Sequence, residues 1–278
     1  MREIGGKTAV VIGGGSGIGR GLALGLADAG ARLAIADIDL ESARAVAREV
    51  EARGARALAS QVDGTSRESL KALAEQVARE LGPIHLLSNN VGVMLDRPLA
   101  QASDRDWAWV IELNLMSIVR AVDVFLPYLR AAPGEKHIVN TASMAALLAQ
   151  TRPELPASLG LYTATKHALL GYSETLRAEL AAEDIGVSVL CPGMVLSNLA
   201  QTTARHRPER HGGPYEPPGP MPAQLAALAM RPEQVGPIAL RAIRANRLHI
   251  FTHPERRKQI EAHQQRVLDD LDFAAGRT

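Results

Sequence analysis

Apolar positions along the chain follow two alternating patterns. Thr8–Ile12 is an unbroken, largely β-branched apolar run, the pattern of a strand buried on both faces. Short runs of this kind recur at Arg32–Ala36, Arg56–Val62, Ile84–Ser88, His137–Thr141, Val187–Cys191 and Leu248–Phe251. Between them lie stretches with helical spacing: Arg20–Gly30, Leu40–Arg53, about 67–81, Trp107–Leu129, Tyr162 to about Glu183, about 232–246 and about 255–271. This alternation predicts an α/β fold of one domain, 1–278: a doubly wound parallel sheet with helices on both faces, joined by right-handed crossovers. One segment breaks the pattern. Asn198–Pro222 holds Pro208, Pro214, Pro217, Pro218, Pro220 and Pro222, a density at which no regular element is expected. Its flanks carry Met194, Leu196, Leu199, Leu225, Leu228 and Met230, so about 194–230 reads as a lid with apolar anchors.

Composition narrows the partners. The 278 residues are 46% hydrophobic, enough for a large core, and 31 basic residues balance 30 acidic ones without any basic block. Nucleic-acid or membrane-surface binding therefore has no electrostatic basis. Cys191 is the single cysteine, which excludes an intramolecular disulfide framework and a cysteine-built metal cluster; no metal is expected. With no long apolar leader and no run able to span a bilayer, a soluble cytoplasmic protein is expected.

The candidate chemistry lies at the strand ends. Gly13, Ser16, Gly17, Ile18 and Gly19 form a glycine turn between a strand and a helix, where backbone N–H groups and the helix dipole can hold a pyrophosphate. Asp37 ends the second strand where a ribose-binding carboxylate is expected, and it would repel a 2′-phosphate. Ser16 offers no cation to attract one, which favours NAD over NADP. Asp39 suits the cap of the following helix. Asn89-Asn90-Val91-Gly92 and Ser143 follow later strands at the same edge, while Asn114 on an apolar helix face is a satisfied core amide or part of a water chain. Tyr162 and Lys166 are four apart, one helical turn, so the ammonium can depress the phenol pKa and make it a base. Taken alone, such a pair is commonly a surface tyrosine on a lysine stem.

Taken together, Gly13-x-x-x-Gly17-x-Gly19, Asn89 to Gly92, Asn114, Ser143, Tyr162-x-x-x-Lys166 and Pro192-Gly193 resemble the short-chain dehydrogenase/reductase family over essentially the whole chain. The resemblance implies a Rossmann-like fold, an NAD-dependent hydride transfer between a secondary alcohol and its ketone, and a tetrad of Asn114, Ser143, Tyr162 and Lys166. It further implies that Lys166 binds the nicotinamide ribose and that Asn114 holds a water linking Lys166 to solvent. Asp37 and Ile38 would lie at the adenosine ribose, Asp63 and Gly64 beside the adenine, and Asn90, Val91 and Gly92 under the ribose. Pro192, Gly193, Val195 and Ser197 would complete the nicotinamide end. Ile12, Val91 and Ser197 depart from the residues usual at their positions, and Ile12 removes a side-chain hydrogen bond that normally braces the glycine turn. The long Ser143 to Tyr162 spacing, with extra residues in Leu147–Gly160, the stretch Ser197–Ala200 and Phe251–Glu255 are similar to bacterial members acting on bulky hydrophobic or benzylic alcohols, among them Cα-dehydrogenases of lignin-derived aryl ethers. A hydroxysteroid or monocyclic alcohol fits the same Met/Leu-rich pocket. The family also implies a homo-oligomer, a tetramer, built on the two long central helices and the last strand. The rival reading is a nicotinamide-binding sensor or scaffold without turnover. A sugar-nucleotide epimerase would need more chain after Gly193.

Overall fold

A computed structural model describes residues 1–148, 159–216, 219 and 223–277. Seven parallel strands form one sheet in the order β3-β2-β1-β4-β5-β6-β7: β1 (Thr8–Ile12), β2 (Arg32–Asp37), β3 (Ala57–Gln61), β4 (Ile84–Asn89), β5 (Lys136–Thr141), β6 (Ile185–Cys191) and β7 (His249–Phe251). The unbroken apolar runs are explained by what lies on each face. Ala9 and Val11 of β1 join Leu33 and Ile35 of β2 in a core under α1 (Gly17–Asp28), α2 (Leu40–Glu51) and a later helix of residues 235–244. Val10, Ile12, Ala34 and Ala36 point the other way, toward α3 (Arg67–Leu81) and the long central helices. Each fully buried aliphatic side chain contributes about 1.5–3 kcal/mol relative to exposure, so both faces of the sheet are under strong selection for apolar residues.

Trp107–Leu129 is not one helix. It is α4 (Asp104–Ile111), a π-helical turn (Glu112–Met116) and α5 (Ser117–Ala131), and Asn114 lies within the turn. A capping box starts α4: the Ser103 hydroxyl accepts from the Asp106 N–H, and the Asp106 carboxylate accepts from the Ser103 N–H at 2.9 Å. The second long helix is α6 (Gly160–Glu179).

The proline-rich segment is also more regular than its composition predicts. Leu199–Arg205 forms α7, and a further helix, α8, spans Ala223–Leu228. No proline occurs between Pro192 and Pro208, so nothing blocks the first helix. The flanks pair as a parallel bridge, Val195 with Met230, in which Leu196 N–H donates to the Met230 carbonyl and Met230 N–H to the Met194 carbonyl, each at 2.9 Å. Leu228, expected as an anchor, is instead 75% exposed. Residues 149–158, most of the extra residues in Leu147–Gly160, together with residues 217–218 and 220–222 and the side chain of Leu225, lie outside the described residues. The chain ends in α9 (Val235–Arg244), β7 and α10 (Arg257–Ala274). Among the described residues, no helix is long and apolar enough to cross a membrane.

Candidate active site

Strand order reverses between β1 and β4, and ligands of such sheets bind in the crevice at the carboxyl edge there. The glycine turn leaves β1 at this crevice. Gly13 and Gly17 have φ of 72° and 49°, in the region that favours glycine, and a Cβ on Gly19 would lie 2.0 Å from the Gly13 carbonyl oxygen. Ser16 is the N-cap of α1 without a side-chain cap bond, and the first helical amide taken up is that of Arg20, by the Ser16 carbonyl at 3.0 Å. Among the described residues the N–H groups of Gly17, Ile18 and Gly19 have no acceptor, so α1 offers donors and a positive dipole end to an anion.

Asp37 closes this turn on its far side. Its Oδ2 accepts from the Gly15 N–H at 2.8 Å and its Oδ1 from the Asp39 N–H at 3.2 Å. Asp39 caps α2 as expected, accepting from the Glu41 and Ser42 N–H groups. Ile38 is 44% exposed at the rim. Asp63 lies beyond β3, its Oδ1 accepting from the Thr65 N–H and hydroxyl, and Gly64 packs against Val91. Asn90 supplies the brace that Ile12 lacks in its side chain: its backbone N–H and Nδ2 both donate to the Ile12 carbonyl, at 2.9 and 3.2 Å, while its Oδ1 accepts from the Thr141 hydroxyl at 2.7 Å. The ends of β1, β4 and β5 are thus tied together. Arg20, which follows the turn, donates to Glu49 through both Nε and Nη2 and pairs with Glu233.

The second cluster sits beyond β5 and on the first two turns of α6. Ser143 caps a short 3-10 turn, accepting from the Ala145 N–H at 3.1 Å, and its hydroxyl hydrogen-bonds the Tyr162 phenol. Lys166, 3% exposed, donates to the Thr141 carbonyl at 2.8 Å and lies 5.6 Å from the centroid of the Tyr162 ring. Burial lowers this ammonium to about 8. Burial also raises the Tyr162 phenol above its ordinary value, with the Ser143 hydrogen bond opposing the shift. That departs from the depression expected of the lysine. The low-dielectric site disfavours both charged forms, and the ammonium is directed to Thr141.

Asn114 is fully buried and engaged: its Oδ1 accepts from the Val93 N–H at 2.7 Å, and its Nδ2 donates to the Val93 carbonyl and the Thr165 hydroxyl, each at 3.0 Å. It ties the loop after β4 to α6. Its carbonyl keeps a second lone pair for a further donor, and Gly92 lies against both this oxygen and the Lys166 Nζ.

Beyond β6, the Pro192 carbonyl accepts from the Met144 N–H at 2.9 Å, so the Ser143 turn and the Pro192-Gly193 turn are joined. Val195 is buried, and exposed Ser197 lies over Gly17. Two residues given no individual role on sequence grounds hold Gly193. Its N–H is shared between the Thr252 hydroxyl and His253 Nδ1, both at 3.2 Å, and the His253 ring fills the space a Gly193 side chain would need. The segment after Asn198 is docked as well. Thr203 accepts from the Met94 N–H at 3.0 Å, and the buried Arg207 Nη2 donates to Asp106 at 2.5 Å with its guanidinium 5.2 Å from the centroid of Trp109. Sequence offered no signal for these pairings, which join residues about a hundred positions apart.

A family model described as short chain dehydrogenase matches residues 7–208. A CLA biosynthesis dehydrogenase/reductase of Lactiplantibacillus plantarum is 31% identical over 97% of this chain and 96% of its own length. A C alpha-dehydrogenase of Sphingobium sp. is 29% identical over 98% of this chain and 88% of its own. The crystal structure of a short chain dehydrogenase/reductase from Burkholderia phymatum in complex with NAD is 33% identical, with a TM-score of 0.83 over 100% of this chain and 98% of that one.

Proposed function

We propose that this chain, which belongs to the short-chain dehydrogenase/reductase family, transfers hydride between NAD(H) and a bulky, hydrophobic or aromatic secondary alcohol. One observation carries the reading: the Ser143 hydroxyl, the Tyr162 phenol and the Lys166 ammonium converge at the same sheet edge as the glycine turn. The free amides at Gly17, Ile18 and Gly19 fit a pyrophosphate, and Asp37 fits a pair of ribose hydroxyls. When bound, NAD+ supplies the acceptor for the hydride and a positive charge.

In the oxidation direction, Tyr162 as phenolate takes the alcohol proton while the carbinol carbon loses its hydrogen with both electrons, leaving a ketone. In the reverse direction the Tyr162 hydroxyl protonates the alkoxide oxygen. Ser143 donates to that oxygen and stabilises its developing charge. Lys166 favours the phenolate and holds the nicotinamide ribose, Gly193 is positioned by Thr252 and His253, and Asn114 holds the loop after β4 against α6. Met94, Leu147, Leu148, Met194 and Leu199, all partly buried near the cluster, give the alcohol an apolar cleft, and residues 194–216 form its outer wall. The assembly is a homotetramer through α4 and α5, α6 and the edge strand β7. Measuring NAD reduction across a panel of aliphatic, benzylic and steroid secondary alcohols tests the reading. Tight NAD binding without turnover of any of them would instead favour a sensor.

Cofactor choice follows from Asp37. NAD is expected to be preferred over NADP by at least about tenfold, on the order of 1.4 kcal/mol, because a carboxylate at the ribose repels a 2′-phosphate. Arg20 does not offset this, being engaged by Glu49 and Glu233. Comparing kcat/KM for both cofactors in the wild type and Asp37→Ala checks it. A ratio that the substitution leaves unchanged would remove Asp37 from the assignment.

A further inference from the structure

The corner beside Asp37 already holds an anion of the protein's own. Asp39 stands two residues past Asp37, in extended backbone (φ −96°, ψ 102°), as the N-cap of α2. Its Oδ1 accepts from the Glu41 N–H at 3.0 Å and the Ser42 N–H at 3.3 Å, and its Oδ2 accepts from the Ser42 hydroxyl at 2.7 Å. The two bonds from Ser42 hold the Asp39 carboxyl below its ordinary value, so it is charged at neutral pH. Further contacts tie this helix end to the cofactor crevice. The Asp39 N–H donates to Asp37 Oδ1 at 3.2 Å, and a Cβ on Gly15 would lie 2.9 Å from Asp37 Oδ2 and 2.9 Å from Ser42 Cβ. The glycine turn, Asp37 and the first turn of α2 therefore meet at one corner.

A helix N-terminus with free N–H groups takes up phosphate through those donors and its positive dipole end. A phosphate on the ribose 2′-oxygen would be such an anion, and the donors α2 has to offer it are the Glu41 and Ser42 N–H groups and the Ser42 hydroxyl. All three already serve Asp39. We infer that Asp39 is a second residue selecting against NADP: its carboxylate fills the place that a 2′-phosphate would take on α2 and repels it. This rests on the reading that Asp37 receives the adenosine ribose. Asp37 alone would leave the end of α2 open as a phosphate site, whereas with Asp39 in place the chain supplies the anion itself.

Binding of NADH and NADPH to the full chain, followed by nucleotide fluorescence at low salt, tests this with Asp39→Asn and Asp39→Gly. Both residues are accepted N-caps, so α2 is expected to stay folded. Asparagine keeps an acceptor for the amides but drops the charge, while glycine drops both. The ratio of the NADPH Kd to the NADH Kd is expected to fall about threefold in Asp39→Asn and at least about tenfold in Asp39→Gly, with NADH affinity within a few-fold of the wild type. Loss of a cap alone would weaken both nucleotides alike and leave the ratio unmoved, and that result would overturn the inference. A ratio that moves in Asp37→Ala but in neither Asp39 variant would overturn it as well, assigning selectivity to Asp37 alone. A wild type that binds neither nucleotide would remove the cofactor reading itself and this inference with it.

Discussion

Tyr162→Phe is expected to lower turnover at least about 10²-fold, the usual scale for loss of a positioned acid or base, while NAD affinity stays within a few-fold. The substitution removes one oxygen, the partner of the Ser143 hydroxyl, and leaves the ring and the Lys166 contact with Thr141 in place. Isothermal titration with NAD and steady-state kinetics on the same sample separate the two effects. Retained turnover would remove Tyr162 from the mechanism. Sign and direction of the pH dependence follow from the same geometry. Oxidation needs the phenolate, whose formation burial opposes, so its kcat/KM is expected to rise about tenfold per pH unit from neutral pH until a plateau, while reduction, which needs the phenol, is expected to stay level over that range and to fall only once the plateau is reached. Lys166→Met is expected to move the oxidation plateau to higher pH, since the phenolate loses its cation. An unmoved plateau would separate Lys166 from the phenol.

The strands and most helices were legible because burial on two faces leaves a plain signature. Thr8–Ile12 reads as a strand buried on both faces, and the placement of the glycine turn between that strand and a helix favoured a nucleotide site over a simple tight turn. What escaped depends on contacts between distant residues. Nothing in Glu112–Met116 announces a π-helical turn, yet that extra backbone residue is where Asn114 turns inward to Val93 and Thr165. The spacing of Tyr162 and Lys166 gave the pairing but not its electrostatics, since burial depends on the surrounding fold. Proline counting misjudged Leu199–Arg205, because the prolines begin only at Pro208.

Arg207→Ala is expected to cost about 3–5 kcal/mol of stability, the range for leaving one partner of a buried ion pair uncompensated. Asp106 is 1% exposed, and three residues converge on it: Ser103 through its N–H and hydroxyl, Arg207 at 2.5 Å and Arg97 at 3.5 Å. Burial pushes the Asp106 carboxyl up, but its bonds from Ser103 and Arg207 outweigh this and hold it below its ordinary value. A depressed carboxylate stabilises the fold above its unfolded pKa, and that contribution is lost as pH falls through the folded one. The wild type should therefore lose this part of its stability only in acid, and Arg207→Ala should lack part of it at neutral pH. Urea unfolding at pH 7 and at a pH well below about 3.9, the ordinary aspartate value, measures both. Because the pair ties the segment after α7 to α4, substrate KM is expected to rise in Arg207→Ala with NAD affinity nearly unchanged. Asp106→Leu/Arg207→Met, which removes both charges, should recover much of the stability without restoring KM, since an apolar pair packs but lacks the guanidinium that lies over Trp109 and holds the segment to α4. If Arg207→Ala instead unfolded within about 0.5 kcal/mol of the wild type, the pair would be behaving as a solvent-exposed one, and the segment would be held by contacts such as that of Thr203 and the Val195–Met230 bridge.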